Sequence, residues 1–242
     1  MVLGRTPLEL ARGDLAIMTL EVINPLPVQL DATGLRASLK GEIPGLVNEL
    51  MPLLDVARSK IEPKAVYAVL RVQRVDWDQV FLEDGKGLSS VVLGDMLRPG
   101  QSIVPHVITL GSELEAASAK ETNLLRSWLL EVIADYALTT ARQYVKTVLT
   151  HDLGTVISIF SPGTGTGELF GLDQQETLFR ILDPSKNVGV NLLPSLLMTP
   201  RKSVSGIFAA TREEYVACEY CPRKCESRAR EFKGAYQFLR GA

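Results

Sequence analysis

The segment Phe160–Phe208, "FSPGTGTGELFGLDQQETLFRILDPSKNVGVNLLPSLLMTPRKSVSGIF", joins an apolar run to a glycine-rich loop, a helix signal and three more apolar runs. The loop places Pro162, Gly163, Gly165, Gly167 and Gly171 directly behind the β-type run Thr155–Phe160. Glycines crowded behind a strand either make a tight turn or bring backbone close to a ligand. A phosphate-binding P-loop needs G-x-x-x-x-G-K-[ST], and "GTGTGELFG" has no Lys-Ser or Lys-Thr at the required place. The dinucleotide pattern G-x-G-x-x-G fails too, because its last position falls on Glu168 or Phe170. Nucleotide readings are excluded; a turn and a ligand-facing loop remain open.

Working outward, Asp173 is the expected cap of the following helix, and Val188–Leu193, Leu196–Thr199 and Val204–Ala210 are short strand candidates. Upstream, apolar residues from Leu125 to Val148 recur at i, i+3, i+4, i+7, the spacing of one buried helix face. Trp128, Tyr136 and Tyr144 fall on that stripe and are expected to pack in the core. Earlier, Met18–Asn24 and Ser102–Leu110 read as strands. "KAVYAVLRVQRV" (64–75) reads as one more, with "WDQVFLED" as its antiparallel neighbour. Helices are expected from Asp31 to Leu39, from about Ile43 to Ser59, from Ser89 to Leu97 and over the tail Glu226–Arg240. Strands and helices mix without a βαβ rhythm, so the fold class is α+β.

The chain has 242 residues, 46% hydrophobic and 22% charged, ample for a core in one domain or a domain with a subdomain. Its formal net charge of −2 gives no basic field for nucleic acid or anionic membranes. No apolar stretch reaches the ~18 residues a membrane span needs, and the N-terminus lacks the apolar core of a signal peptide. A cytoplasmic protein is expected. His106 and His151 have no motif neighbours and are expected to be structural.

The order and spacing of the Pro162-Gly163 turn, the helix ending near Leu182, "VGVNL" and "MTPRKSVSGIF" (198–208) resemble the activation domain of cobalamin-dependent methionine synthase. Stand-alone proteins built on that domain are more similar still. "VITLGSELE" and the long helix from Leu124 add to the resemblance, which covers about Val104 to Arg228. It implies a curved α+β domain with a twisted antiparallel sheet and flanking helices. It also implies three portions: residues 1–110 packed on the main domain, an activation-domain-like region over 104–228, and a tail over 218–242.

The function implied is reactivation of oxidised cob(II)alamin, with S-adenosylmethionine as methyl donor and an electron from a donor protein. The cobalamin would be carried by a partner, a methionine synthase or another corrinoid protein. The family signature Arg-Pro-x-Pro-Gly-Tyr keeps Pro162 and Gly163 here. Ile159 replaces its arginine and Thr164 its tyrosine, and isoleucine cannot make the charge-assisted pair an arginine makes with a carboxylate. The family's acidic residue on the long helix has no counterpart between Tyr136 and Thr150. The cofactor-binding positions expected are Pro162, Gly163, Gly165 and Gly167, with Arg201 or Lys202 as a cation or as solvated turn charges. Ser203 and Ser205, in the same family-like turn, complete the set, their hydroxyls serving local backbone groups rather than nucleophilic catalysis.

Cys218, Cys221 and Cys225 are the only cysteines, gathered in "CEYCPRKC". So short a cluster is a poor disulfide framework and a good metal-ligand spacing. Three soft thiolates suit an iron–sulfur cluster, zinc with a fourth ligand is the alternative, and free thiols are the third reading. Arg223, Lys224, Arg228 and Arg230 surround the motif and would favour thiolates. Tyr215 and Tyr220 lie close by, either to shield a metal centre or simply to pack.

Overall fold

Strand β6 (Ser102–Thr109) organises the molecule, and every residue from Ile103 to Thr109 is buried. The computed structural model describes residues 20–39, 46–153, 155–165, 167–225, 228 and 230–237. Along one edge β6 pairs first with β3 (Leu70–Asp76) and then with β2 (Lys64–Ala68); along the other it pairs with β10 (Ser203–Ala210). β1 (Leu20–Ile23) extends the sheet beyond β2. β4 (Gln79–Leu82) and β5 (Gly87–Ser89) extend it beyond β3, and β7 (Ile157–Phe160) beyond β10. All eight strands pair antiparallel, and the sheet stays open. A separate two-stranded ribbon, β8 (Asn191–Leu192) with β9 (Met198–Thr199), precedes β10.

Helices cover both faces of the sheet. On one face lie α3 (Val91–Met96), α6 (Gln175–Leu182) and α7 (Pro184–Val188), burying Leu93, Leu178 and Ile181 against Val66, Val107 and Ile207. On the other runs α5 (Leu124–Leu153), 30 residues and therefore about 45 Å long. Its C-terminal half sets Ala141, Val145 and Leu149 against Tyr67, Ile108 and Phe208. Its N-terminal half belongs to a helical core with α1 (Ala32–Ser38), α2 (Leu46–Lys60) and α4 (Glu113–Lys120), where Leu35, Leu50 and Leu53 meet Leu129, Ile133 and Ala137. One helix thus belongs to two cores. The α+β class with an antiparallel sheet and flanking helices is as expected.

Several local expectations change. The run 64–75 is two strands, because β6 switches partner from β2 to β3 along its edge. Asp173 sits in a 3₁₀ turn, Leu172–Gln174, and makes no side-chain cap to α6. The expected strand Val188–Leu193 narrows to β8 (Asn191–Leu192), because Val188 closes α7, which Pro184 opens at its first position, where a missing N–H costs nothing. Trp128 and Tyr144 lie at the solvent flank of the α5 stripe, 45% and 40% exposed, while Tyr136 donates to Asp31 Oδ2 at 2.8 Å. Residues 230–237 of the expected tail helix are not helical; most of the remaining tail, and the chain before Leu20, lie outside the described residues.

Candidate functional site

A cleft of about 410 Å³ opens between the 161–164 loop, the start of α6, the β8–β9 ribbon and β10. Pro162, Thr164, Arg201, Ser203 and Ser205 line it, with Leu172, Leu197 and Met198 giving an apolar wall. The loop holds its shape through its own backbone. Gly163 N donates to Phe170 O at 2.8 Å, and the Thr164 hydroxyl donates to Ser161 O at 2.7 Å. Gly163 has φ +75°, and a Cβ there would lie 2.8 Å from Leu172 Cδ1, so glycine is required on two counts. The floor is a short relay. The Ser205 hydroxyl donates to Gln175 Oε1 at 2.9 Å, and Gln175 Nε2 donates to Leu196 O at 2.8 Å.

Arg142 enters this cleft from α5 and donates through Nη2 to Ser161 Oγ. Among the described residues, two buried side-chain nitrogens have no hydrogen-bond partner: Arg142 Nε and His106 Nε2. Burial pulls the Arg142 guanidinium down to about 10, with no carboxylate acting in the other direction. His106 stands opposite Gly206 in the β6–β10 ladder and stacks on Phe208 with ring centroids 3.9 Å apart. Burial, and then the charge of Arg142, hold its imidazole well below 6.5. Sequence periodicity gave no warning of Arg142, which reads there as a charge beside the apolar stripe.

The buried histidine has a consequence for acid stability. The folded chain holds it neutral while the unfolded chain protonates near 6.5, so its contribution is complete above that pH and declines below it. Each unit costs at most about 1.4 kcal/mol. From pH 7 to pH 5, wild type is expected to lose roughly 2 kcal/mol more than His106→Leu in urea denaturation. Parallel pH profiles for the two proteins would refute the assignment.

The remaining expected site residues divide. Arg201 lines the cleft, but its guanidinium already meets Glu115 at 2.7 Å and Glu131 at 3.3 Å. Lys202 pairs with Asp135 at 2.6 Å and Glu131 at 3.0 Å. This network straps the turn before β10 to α4 and α5. The Ser203 hydroxyl is satisfied locally by Pro200 O and Thr109 Oγ1. Gly165 faces the cysteine turn, where a Cβ built on it would lie 4.0 Å from Cys221 Cβ, and Gly167 faces open space.

The crystal structure of the MetH reactivation domain bound to AdoHcy is similar over 82% of this chain and 81% of that one. The TM-score is 0.58 and the sequence identity 14%. This chain has the reactivation-domain fold. No family profile matches it, and no curated protein does either. No helix among the described residues is long and apolar enough to cross a membrane.

On this reactivation-domain fold the cysteine region differs from expectation. Cys218, Cys221 and Cys225 are free thiols, and among the described residues no group of three His, Cys, Asp or Glu is placed to hold a metal ion. The turn is instead gathered around an organic cation. Arg228 donates to the carbonyls of Cys218 at 2.6 Å, Cys221 at 2.7 Å and Arg223 at 2.6 Å. Among the described residues the three thiols are not gathered into a set that would hold an iron–sulfur cluster or zinc. Tyr215 and Tyr220 pack: Tyr215 stacks between Phe160 and Tyr220 at 5.0 and 5.9 Å, and Tyr236 meets both edge-on.

Proposed function

We propose that the chain is a reactivation factor for a cobalamin-dependent methionine synthase or a related corrinoid methyltransferase. It docks on the cobalamin-bearing partner and promotes return of cob(II)alamin to the active state. The observation that carries this reading is the shared fold with the MetH reactivation domain over four-fifths of both chains. The likeness of "MTPRKSVSGIF" and the Pro162-Gly163 turn to that domain supports it from the sequence side. In full, the reaction adds one electron to cob(II)alamin and then transfers a methyl group from S-adenosylmethionine, leaving methylcobalamin and S-adenosylhomocysteine. The electron comes from a separate donor protein, and the chain's own part is to position the partner and the methyl donor.

A second reading is a module that docks on a corrinoid protein and protects it without redox chemistry. The cysteine turn favours it, since its carbonyls are already held by Arg228, an arrangement that needs no metal centre. One assay separates the two. The corrinoid methyltransferase of the same source is oxidised to cob(II)alamin, then given S-adenosylmethionine, a reductant and this chain. Loss of the cob(II)alamin paramagnetic signal and recovery of methyl transfer, both dependent on this chain, are expected. Binding without recovery would establish the second reading, and no binding would overturn both.

A further inference from the structure

We propose that an aromatic pocket at the cysteine turn, walled by Tyr220, Phe232 and Tyr236, is a binding site for a small alkylated ammonium ion, with Glu168 as its counter-charge. The claim is independent of reactivation and would survive its failure. Three separate segments make the pocket, whose volume is about 230 Å³. Glu168 and Leu169 come from the loop behind β7, Tyr220 and Pro222 from the cysteine turn, and Phe232 and Tyr236 from the segment 230–237. That last segment is neither helix nor strand, and it is pinned at two points instead. Lys233 N donates to Glu219 O at 2.7 Å, while Lys233 Nζ meets Glu219 Oε2 at 2.9 Å. Farther on, Tyr236 Oη donates to Asp95 Oδ2 at 2.8 Å.

The rings stand as walls rather than as a closed stack. Tyr220 and Tyr236 meet at 78° with centroids 5.0 Å apart, and Phe232 is 48% exposed. An aromatic face carries negative charge density, so rings set around a space attract a cation placed among them. One ring is already used in that way. The Arg228 guanidinium lies 5.9 Å from the Phe232 centroid, although Arg228 does not line the pocket. The bond from Tyr236 to the Asp95 carboxylate polarises the phenol and enriches its ring face. Charge in the lining points the same way: among the described residues around the pocket, Glu168 is the sole charged one and none is basic. An anionic ligand would meet a carboxylate and three ring faces, all of them repulsive. A bare ammonium is strongly hydrated, whereas alkyl groups on the nitrogen shed that water and give Leu169 and Pro222 apolar surface to cover. The volume falls below the ~300–1,000 Å³ of clefts that enclose a whole drug-sized ligand, so the pocket takes a compact head group.

The test is a nuclear magnetic resonance titration of the full chain at low salt, following the N-methyl signal of choline, with tetramethylammonium as a second cation. Neohexyl alcohol, which has carbon in place of the choline nitrogen, is the neutral control, and tert-butylacetate is the anionic one. Both cations are expected to bind at least about tenfold more tightly than neohexyl alcohol, and tert-butylacetate not at all. Phe232→Leu keeps an apolar side chain and removes the ring, and it is expected to weaken choline about fivefold or more. Glu168→Gln is expected to weaken choline about threefold at low salt, a difference that shrinks as salt is added. Both residues are exposed, so both variants should melt with wild type, which separates lost binding from lost folding. Equal binding of choline and its neutral analogue, no binding of either, or undiminished choline binding by either variant overturns the proposal.

Discussion

Truncation of Phe160 to alanine is expected to lower stability by about 4 kcal/mol, the usual cost of deleting a buried aromatic ring. In a chain of this size that is a fall of roughly 8–16 °C in melting temperature. Phe160 ends β7 with no exposed surface and stacks on Tyr215, which in turn stacks on Tyr220 beside the cysteine turn. Its loss therefore removes a core ring and the platform beneath residues 217–220. Two readouts follow: calorimetric melting, and the rate at which iodoacetamide alkylates Cys218, which should rise in the variant. A change of only one or two degrees in melting would mean that the ring does not anchor this corner.

Gly94→Ala is expected to cost about 3 kcal/mol, near the upper end for overpacking, and roughly 6–12 °C in melting temperature. Helix α3 crosses the β3–β4 turn so closely that a Cβ on Gly94 would overlap the Trp77 carbonyl oxygen and lie 3.1 Å from Asp78 Cα. Those are backbone atoms at a turn where Trp77 already has φ +49°, so relief requires moving the hairpin or the helix. Ala is the better helix former by about 1 kcal/mol, and that gain is too small to compensate. Thermal melts of the variant against wild type decide the matter, and a neutral result would show that the hairpin yields freely.

The parts of the fold that could be read from sequence are those with long, single-valued patterns. The stripe from Leu125 to Val148 reads as a long helix, and the Ser102–Leu110 run as an apolar strand. Where one pattern served two elements, reading failed. Residues 64–75 are uniformly β-prone, and nothing local marks the switch of pairing partner near Val69. Helix α4 went unread although Ser112 is followed by Glu115 and alanines; its Ser112 makes no side-chain cap, so the written signal is not the one the fold uses. Pro184 at the start of α7 was legible in principle, as proline favours a first helical position.

At the site, the sequence located the loop and β10 and missed the residue with the sharpest chemistry. Arg142 borders Ala141 on the helix and meets Ser161 only because β7 returns along β10, a tertiary relation that periodicity cannot carry. At the cysteines the described residues show free thiols and no group of three metal ligands. Their spacing suits a metal, yet spacing constrains sulfur positions weakly when a neighbouring arginine can organise the same carbonyls.

Among the described residues the sheet ends in short members: β1 and β7 have four residues each and β5 has three. Free edges so brief offer little backbone for another chain to zip onto, which guards against runaway self-association. A docking protein consequently gains almost nothing by β-augmentation and has to be recognised through side chains and loop crests. Its specificity is then a matter of surface shape and charge.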